Sequence, residues 1–258
     1  MIFNVLDLST RRTVARTAAQ LRAEFDATGV LVFPGFYSDA ELVVVRRELD
    51  AYFQPLAAAA LEKARERVDL RKFACDVIAW NPVGKGNAAF IEFAAHARLD
   101  AATEAVIGPG YTAPGSLVMY SVGGGQGQAW HQDCLADDTT AFNLNRLIYT
   151  DDITVEDGAI VVVPGSHKLG RIPPGGHQDP IAGEVVLAPS AGTLIFLNGQ
   201  VFHRVTPNLN QKPRVSTNFR AFPAGIPSSV TCIGVYRNGA VNFCDGAKMY
   251  DGTPAEKM

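Results

Sequence analysis

The chain has 258 residues, of which 47% are hydrophobic, and this is enough to bury a sizeable core in a single domain. With 23 lysines and arginines against 26 acidic residues, its formal net charge is −3, and no basic cluster is present to bind nucleic acid or anionic lipid. The sequence contains neither a leader-like start nor the ~20 consecutive apolar residues of a membrane-spanning helix. We therefore expect a cytoplasmic protein with no nucleic-acid or membrane partner, whose oligomeric state the sequence leaves open.

The first third of the chain is predicted to be mainly helical. The segment 9–29 begins with serine and threonine as caps, has apolar residues at helical spacing and ends on a glycine, so one helix is expected there. The apolar run 30–36 predicts a strand, and Ser38 followed by Glu41 predicts a capping box at the start of a second helix. A further helix is predicted over 56–68, after a proline.

From about residue 115 onward, short apolar or alternating runs are separated by glycine, proline, asparagine and aspartate. Many short strands at this spacing predict a sandwich or barrel. We expect one domain over 1–258, with a helical part at about 1–110 and a barrel at about 111–240. The glycine-rich run 121–127 leads into another strand rather than a helix, so a phosphate-binding loop is not predicted there.

The four cysteines are scattered and form no C-x-x-C pair. Neither a zinc knuckle nor a disulfide framework is therefore predicted. We expect reduced thiols that serve only in packing at Cys75, Cys134, Cys232 and Cys244.

Two histidines and an aspartate form a candidate metal site. His131 and Asp133 lie two residues apart on an apparent strand and share one face, and His203 follows a later apolar strand. Two imidazoles and one carboxylate hold octahedral iron(II) and leave positions open for a 2-oxo acid and O2. Arg214, eleven residues after His203, suits the distal carboxylate of that co-substrate, with Ser216 on the same face.

The segments "WHQD", "DDITVEDGAIVVVPGSHK", "GTLIFLNGQVFH" and "KPRVS" occur in the order typical of one family. In these segments the chain resembles the phytanoyl-CoA dioxygenase family of Fe(II)/2-oxoglutarate oxygenases, and "VLVFPGFYSDAEL" is similar to the N-terminal opening of that family. The resemblance covers about 29–222. It implies a mainly β fold with N-terminal helices, in which a double-stranded β-helix, the jelly-roll or cupin-like barrel, holds the metal at its mouth.

The resemblance also implies roles for individual residues. By this resemblance, the iron ligands are His131, Asp133 and His203, and the 2-oxoglutarate contacts are Arg214, Gln132 and Tyr120. Leu147 stands where the family often has a tryptophan, so the resemblance predicts no contact there. Related halogenases have a small residue in place of Asp133 to admit chloride, so the carboxylate disfavours halogenation. If Arg214 is not the anchor, Arg220 is the next candidate by strand parity.

The remaining histidines are not expected to bind metal. His167 is expected in a turn or lid, and His96 on the exposed side of a helix. His177 opens a second "HQD" with Asp179, but a glycine and a proline flank it in a loop.

The substrate is expected to be a small polar metabolite that meets loop residues around the barrel mouth. An acyl-CoA is not expected, because the entrance has no lysine-rich segment. The candidate contacts are Asp76, Trp80, Asn81, Trp130, Asp137 and Asn143.

The sequence thus predicts an Fe(II)/2-oxoglutarate-dependent dioxygenase, with O2 as the second co-substrate, in natural-product or secondary metabolism. Hydroxylation of an unactivated C–H bond is the expected outcome, and desaturation or cyclisation needs the same ligands. Two alternatives stay open: a non-catalytic or differently metallated barrel that binds a small molecule, and a cupin enzyme that uses metal without 2-oxoglutarate.

Overall fold

The computed structural model describes residues 1–56, 77–135 and 137–244, and the backbone of a strand at 248–250. Three sequence expectations lie outside these residues: the helix over 56–68 beyond its first residue, the substrate contact of Asp76, and the thiol of Cys75.

The chain begins with a β-hairpin, and the prediction of one helix over 9–29 is wrong in its first half. Strands β1 (Ile2–Asp7) and β2 (Arg12–Thr17) pair antiparallel. Ser9 and Thr10 do not cap a helix, because their backbone N–H groups donate to Oδ1 of Asp7 and build the turn. The helix begins only after Thr17.

Four helices in the described residues lie against one face of the barrel. Helix α1 (Ala18–Thr28) is capped by Thr17, and α2 (Asp39–Phe53) begins with the predicted capping box. The other two are α3 (Ala88–Ala94) and α4 (Ala97–Ile107). In the described part of the chain, no helix has the length and apolarity to cross a membrane.

The remaining strands form two antiparallel sheets, which we call the helix-side sheet and the outer sheet. The strands are β3 Val30–Phe33, β4 Ile78–Trp80, β5 Leu117–Ser121, β6 Gln128–Gln132, β7 Leu144–Ile148, β8 Ile160–Val162, β9 Val185–Leu187, β10 Leu194–Asn198, β11 His203–Val205, β12 Arg214–Asn218, β13 Ile233–Tyr236, β14 Gly239–Asn242 and β15 Lys248–Tyr250. The helix-side sheet has the order β3-β10-β7-β12-β5-β4, and the outer sheet has the order β15-β14-β13-β6-β11-β8-β9.

Alternation along the strands separates two cores. In β10, Phe196 packs with the helices, whereas Ile195 and Leu197 pack between the two sheets against strands such as β8. The fold is therefore the predicted mainly β jelly roll with N-terminal helices. Its helix-side sheet also includes β3, the strand predicted over 30–36, and β4, which was not predicted.

Two cysteines form a disulfide, contrary to the expectation of reduced thiols. Cys232 and Cys244 flank the β13–β14 hairpin, whose pairing of Ile233 with Asn242 brings their Cα atoms to 5.1 Å. Cys134 is a buried free thiol, as expected.

The glycine-rich run serves backbone packing between β5 and β6. A Cβ atom at Gly123 would collide with the backbone of Gln211, and one at Gly127 would collide with the carbonyl oxygen of Val205. Gly127 also has a φ of 78°, which favours glycine. The run therefore lets the chain pass close to neighbouring loops.

Candidate active site

The three predicted metal ligands meet in one cluster. His131 on β6 and His203 on β11 lie directly opposite each other on adjacent antiparallel strands, and Asp133 follows the end of β6. Nε2 of His131 lies 3.8 Å from Oδ1 of Asp133, and Nε2 of His203 lies 3.8 Å from Oδ2. The ligand atoms of the three residues all lie within 4.8 Å of one another, close enough for the three side chains to hold one divalent ion.

Both imidazoles turn the same nitrogen toward this cluster. Nδ1 of His131 lies 2.9 Å from the carbonyl oxygen of Ala129, and Nδ1 of His203 lies 2.8 Å from that of Val201. Because a carbonyl oxygen can only accept, each Nδ1 carries the proton and each Nε2 presents its lone pair to a metal.

The protonation states of His131 and Asp133 suit metal ligation. Burial, together with the neighbouring His203, lowers the pKa of His131 to about 3, so its ring is neutral at pH 7. Burial alone would raise the pKa of Asp133, but Arg220 and the two histidines outweigh it and lower this pKa to about 2. The site therefore offers a neutral imidazole from His131, a second imidazole from His203 and one carboxylate, the set that holds non-haem iron with positions left open.

The triad lies in a cavity of about 590 Å³ between the two sheets. Most of the wall is apolar, with polar groups concentrated along β12 and beside the triad. The main apolar residues are Leu117, Met119, Leu147, Ile160, Leu197, Val205 and Phe243, so Leu147 does reach the cavity.

A cationic end of the cavity suits a carboxylate. Arg214 begins β12 with only 2% of its surface exposed, and Ser216 follows on the same face; both line the cavity. The Ser216 hydroxyl is buried with no hydrogen-bond partner among the described residues. Burial raises the pKa of Tyr149, while its contact with Arg214 opposes that rise, so a neutral phenol lies beside the guanidinium. A buried cation beside an unsatisfied hydroxyl fits the distal carboxylate of 2-oxoglutarate.

Two further polar residues contact the triad. Arg220 lies with a guanidinium nitrogen 3.3 Å from Oδ1 of Asp133, and Asn145 on β7 donates to Oδ2 at 2.5 Å. Sequence reasoning considered Arg220 only as a substitute anchor and missed Asn145. The available signal was the pair of polar residues Asn145 and Arg146 inside the otherwise apolar strand β7.

Two expected co-substrate contacts do not reach the cavity. Gln132 neighbours His131 on β6 and so points to the opposite face, where its amide binds the backbone of Gly170, Ile172 and Gln200. Tyr120 faces the helices and stacks on Phe53 with ring centroids 4.3 Å apart.

Trp130 and Asn143, two expected substrate contacts, are fully buried away from the cavity. Trp130 also neighbours His131, so its ring faces outward from the barrel, and its Nε1 donates to the carbonyl oxygen of Asp179. Asn143 donates to Asn145 at 2.9 Å and lies behind the cavity wall.

The other three described candidates also serve structure. Trp80 stacks on Tyr52 with centroids 4.0 Å apart, and Oδ1 of Asn81 accepts from backbone N–H groups of its own and a neighbouring loop. Asp137 forms an exposed ion pair with Arg171. None of these three lines the cavity.

The remaining histidines lie outside the metal cluster. His96, expected to be exposed, is half-buried because it caps α4 and contacts Glu41 at 3.0 Å. His167 is buried in a short turn. His177 lies in a loop, where its carbonyl oxygen accepts a hydrogen bond from the backbone N–H of Trp130. Across the described residues, the cluster of metal-ligating groups is the triad itself.

Solved structures share the fold of this chain. The non-haem α-ketoglutarate-dependent epimerase SnoN from nogalamycin biosynthesis has a TM-score of 0.65 and 20% identity, covering 85% of this chain and 83% of SnoN. HygX from Streptomyces hygroscopicus, with nickel and 2-oxoglutarate bound, has a TM-score of 0.60 and 19% identity over 78% of this chain and 84% of HygX. The α-ketoglutarate-dependent carbocyclase SnoK from nogalamycin biosynthesis has a TM-score of 0.62 and 16% identity over 86% and 88%.

The family is given by a match along the sequence. No curated protein sequence matches the chain, but the family model described as phytanoyl-CoA dioxygenase (PhyH) matches residues 25–216. That stretch includes the triad and the Arg214–Ser216 end of the cavity. Iron and 2-oxoglutarate, the cofactors of this family, fit the donor set found here. The chain belongs to the phytanoyl-CoA dioxygenase family.

Proposed function

We propose that this chain is an Fe(II)/2-oxoglutarate-dependent dioxygenase that hydroxylates an unactivated C–H bond of a small metabolite in natural-product biosynthesis. One observation carries the proposal: an open triad of two histidines and one aspartate shares a single cavity with a buried arginine and an unsatisfied serine hydroxyl. A structural metal site, with all its ligand positions filled by protein, would not need the buried arginine and serine beside it.

Each polar group of the cavity has a role in this proposal. His131, Asp133 and His203 hold Fe(II), and Arg214 with Ser216 binds the distal carboxylate of 2-oxoglutarate. When bound, Fe(II) supplies the redox chemistry by which O2 is split, one oxygen atom entering succinate as 2-oxoglutarate loses CO2 and the other entering the substrate. The apolar walls exclude water from the site and orient the substrate carbon toward the metal.

Hydroxylation is the outcome that we propose, because the triad retains its carboxylate and therefore leaves no ligand position for a halide. The biosynthetic context is supported by SnoN and SnoK, which come from nogalamycin biosynthesis, and by HygX with hygromycin B bound. SnoN is an epimerase and SnoK a carbocyclase, so the substrate's placement over the metal decides the outcome in this fold.

Turnover of 2-oxoglutarate tests the proposal without a known substrate. The protein is supplied with Fe(II), ascorbate, labelled 2-oxoglutarate and ¹⁸O2, first alone and then with a panel of small metabolites, both polar and apolar. We expect slow release of succinate carrying one ¹⁸O atom, a faster rate with an accepted metabolite, and ¹⁸O in its hydroxylated product.

The control is His203→Ala, which removes one ligand from the same protein. Equal succinate release by this variant and the wild type would contradict the proposal. Metal-dependent binding of the panel compounds with no succinate formed would favour the non-catalytic barrel, and product formed without 2-oxoglutarate would favour the cupin alternative.

A further inference from the structure

The three ligands of the triad are held in different ways. His131 and His203 lie within paired strands, and backbone carbonyl oxygens fix their rings. Asp133 lies one residue beyond β6, in a bend, and its main chain is held there by one N–H bond to the carbonyl oxygen of Gly199 at 2.7 Å. Its carboxylate therefore depends on side-chain contacts for its orientation.

The Asn145 amide makes the shorter of these contacts. Its Nδ2 donates to Oδ2 of Asp133 at 2.5 Å, and only 1% of the Asn145 surface is exposed. A hydrogen bond from a buried amide to a carboxylate is charge-assisted and is not replaced by solvent.

The amide cannot turn away from the carboxylate, because its other end is saturated with donors. Oδ1 of Asn145 accepts from Nδ2 of Asn218 at 2.7 Å, from Nδ2 of Asn143 at 2.9 Å and from Nε of Arg220 at 3.1 Å. A flipped amide would point its own NH2 group at all three donors. The Asn218 amide is fixed in turn, since its Oδ1 accepts from the backbone N–H of Arg146.

We propose that Asn145 is a positioning residue for the metal ligand Asp133. Because Asn145 donates to Oδ2 and Arg220 lies 3.3 Å from Oδ1, the carboxylate is held in one orientation beside the two histidines. The strands β7 and β12 of the helix-side sheet thereby orient a ligand that the outer sheet contributes. The inference rests on the proposed function only in taking Asp133 as a ligand.

The test uses Co(II), whose visible absorption reports both affinity and coordination geometry without turnover. We compare the wild type with Asn145→Ala, which removes the amide that donates to Oδ2 of Asp133. Loss of an outer contact to a metal ligand costs about 10- to 100-fold in metal affinity, so the Kd for Co(II) should rise within that range. The absorption at saturating Co(II) should also change, which a merely structural role would not produce.

Ser216→Ala is the matched control, because it removes a polar group from the other end of the same cavity. Its Kd for Co(II) should stay within about twofold of the wild type. Should Asn145→Ala fail to fold, Asn218→Ala removes one of the three donors that hold the amide, and its Co(II) Kd should rise in the same direction.

The outcomes separate this inference from the proposed function. If His203→Ala does not weaken Co(II) binding, the triad is not the metal site and the proposed function fails. If His203→Ala weakens binding while Asn145→Ala and Asn218→Ala match the wild type in Kd and spectrum, the positioning role is wrong and the proposed function stands.

Discussion

At the scale of single residues, burial decides which chemical form the site presents. His131 is neutral because its surroundings disfavour an imidazolium, whereas Asp133 stays ionised because Arg220 and the histidines compensate for its burial. Neither residue has to exchange a proton at pH 7 before it binds a metal. The cost of this arrangement is sensitivity of the metal-free protein to acid.

That sensitivity follows from the direction of the His131 shift. Its pKa in the fold is about 3, below the value of about 6.5 in an unfolded chain, so the unfolded state binds more protons between these values. Stability is therefore lost as pH falls through this window. Between pH 7 and pH 5 we expect metal-free wild type to lose up to about 2 kcal/mol more than His131→Asn.

Urea unfolding at both pH values, in the presence of a chelator, measures this difference. The low pKa of Asp133 does not contribute, because its effect begins only at lower pH. An identical loss in the variant and the wild type would show that another group causes the acid sensitivity.

Arg214→Leu should affect the co-substrate and leave the metal site intact. The variant loses a charge-assisted contact worth about 1.5 to 3 kcal/mol, which corresponds to a rise of roughly 10- to 100-fold in the apparent KM for 2-oxoglutarate. Succinate release against 2-oxoglutarate concentration gives this KM, and a Co(II) titration gives the metal affinity. A KM within about twofold of wild type would rule out Arg214 as the anchor.

At the scale of secondary-structure elements, a capping box is the decisive local signal for both α1 and α2. The capping box of α2 has both of its reciprocal hydrogen bonds and was predicted correctly. The start of α1 was misplaced because serine and threonine also build turns, and here Asp7 recruits Ser9 and Thr10 for one. The missed signal was the capping box of α1 itself, in which Thr17 and Gln20 form reciprocal hydrogen bonds.

The two candidate caps of α1 can be told apart by substitution. Thr17→Ala removes the side chain that accepts from the backbone N–H of Gln20, so unfolding free energy should fall by about 1 kcal/mol. Thr10→Ala should be nearly neutral, because Thr10 contributes only its backbone N–H to the turn. Chemical denaturation measures both, and a larger loss for Thr10→Ala would contradict the observed boundary.

At the scale of the whole molecule, the site exists only where the two sheets meet. The outer sheet and the bend after it supply the triad, and the helix-side sheet supplies Arg214, Ser216 and Asn145. In the sequence, His131 with Asp133 and His203 with Arg214 are two separate local patterns, which the family resemblance joins; the structure places the triad in one cluster and Arg214 in the same cavity. Asn145 was missed because its contact with Asp133 depends on how one sheet packs on the other.

Strand parity explains two of the other misplaced contacts. Trp130 and Gln132 flank His131 on β6, so neither can share its face, and this was available from the sequence. The environments of Trp80 and Tyr120 could not be predicted from the sequence, since both depend on the helices that cover the helix-side sheet.

Anaerobic addition of Fe(II) and 2-oxoglutarate tests the central claim most directly, because the chelate of the two gives a weak visible charge-transfer band only when both share one site. We predict that the wild type develops this band, that His177→Ala retains it because its loop lies outside the triad, and that His203→Ala loses it. A wild type without the band, or a band that survives in His203→Ala and disappears in His177→Ala, would contradict the account.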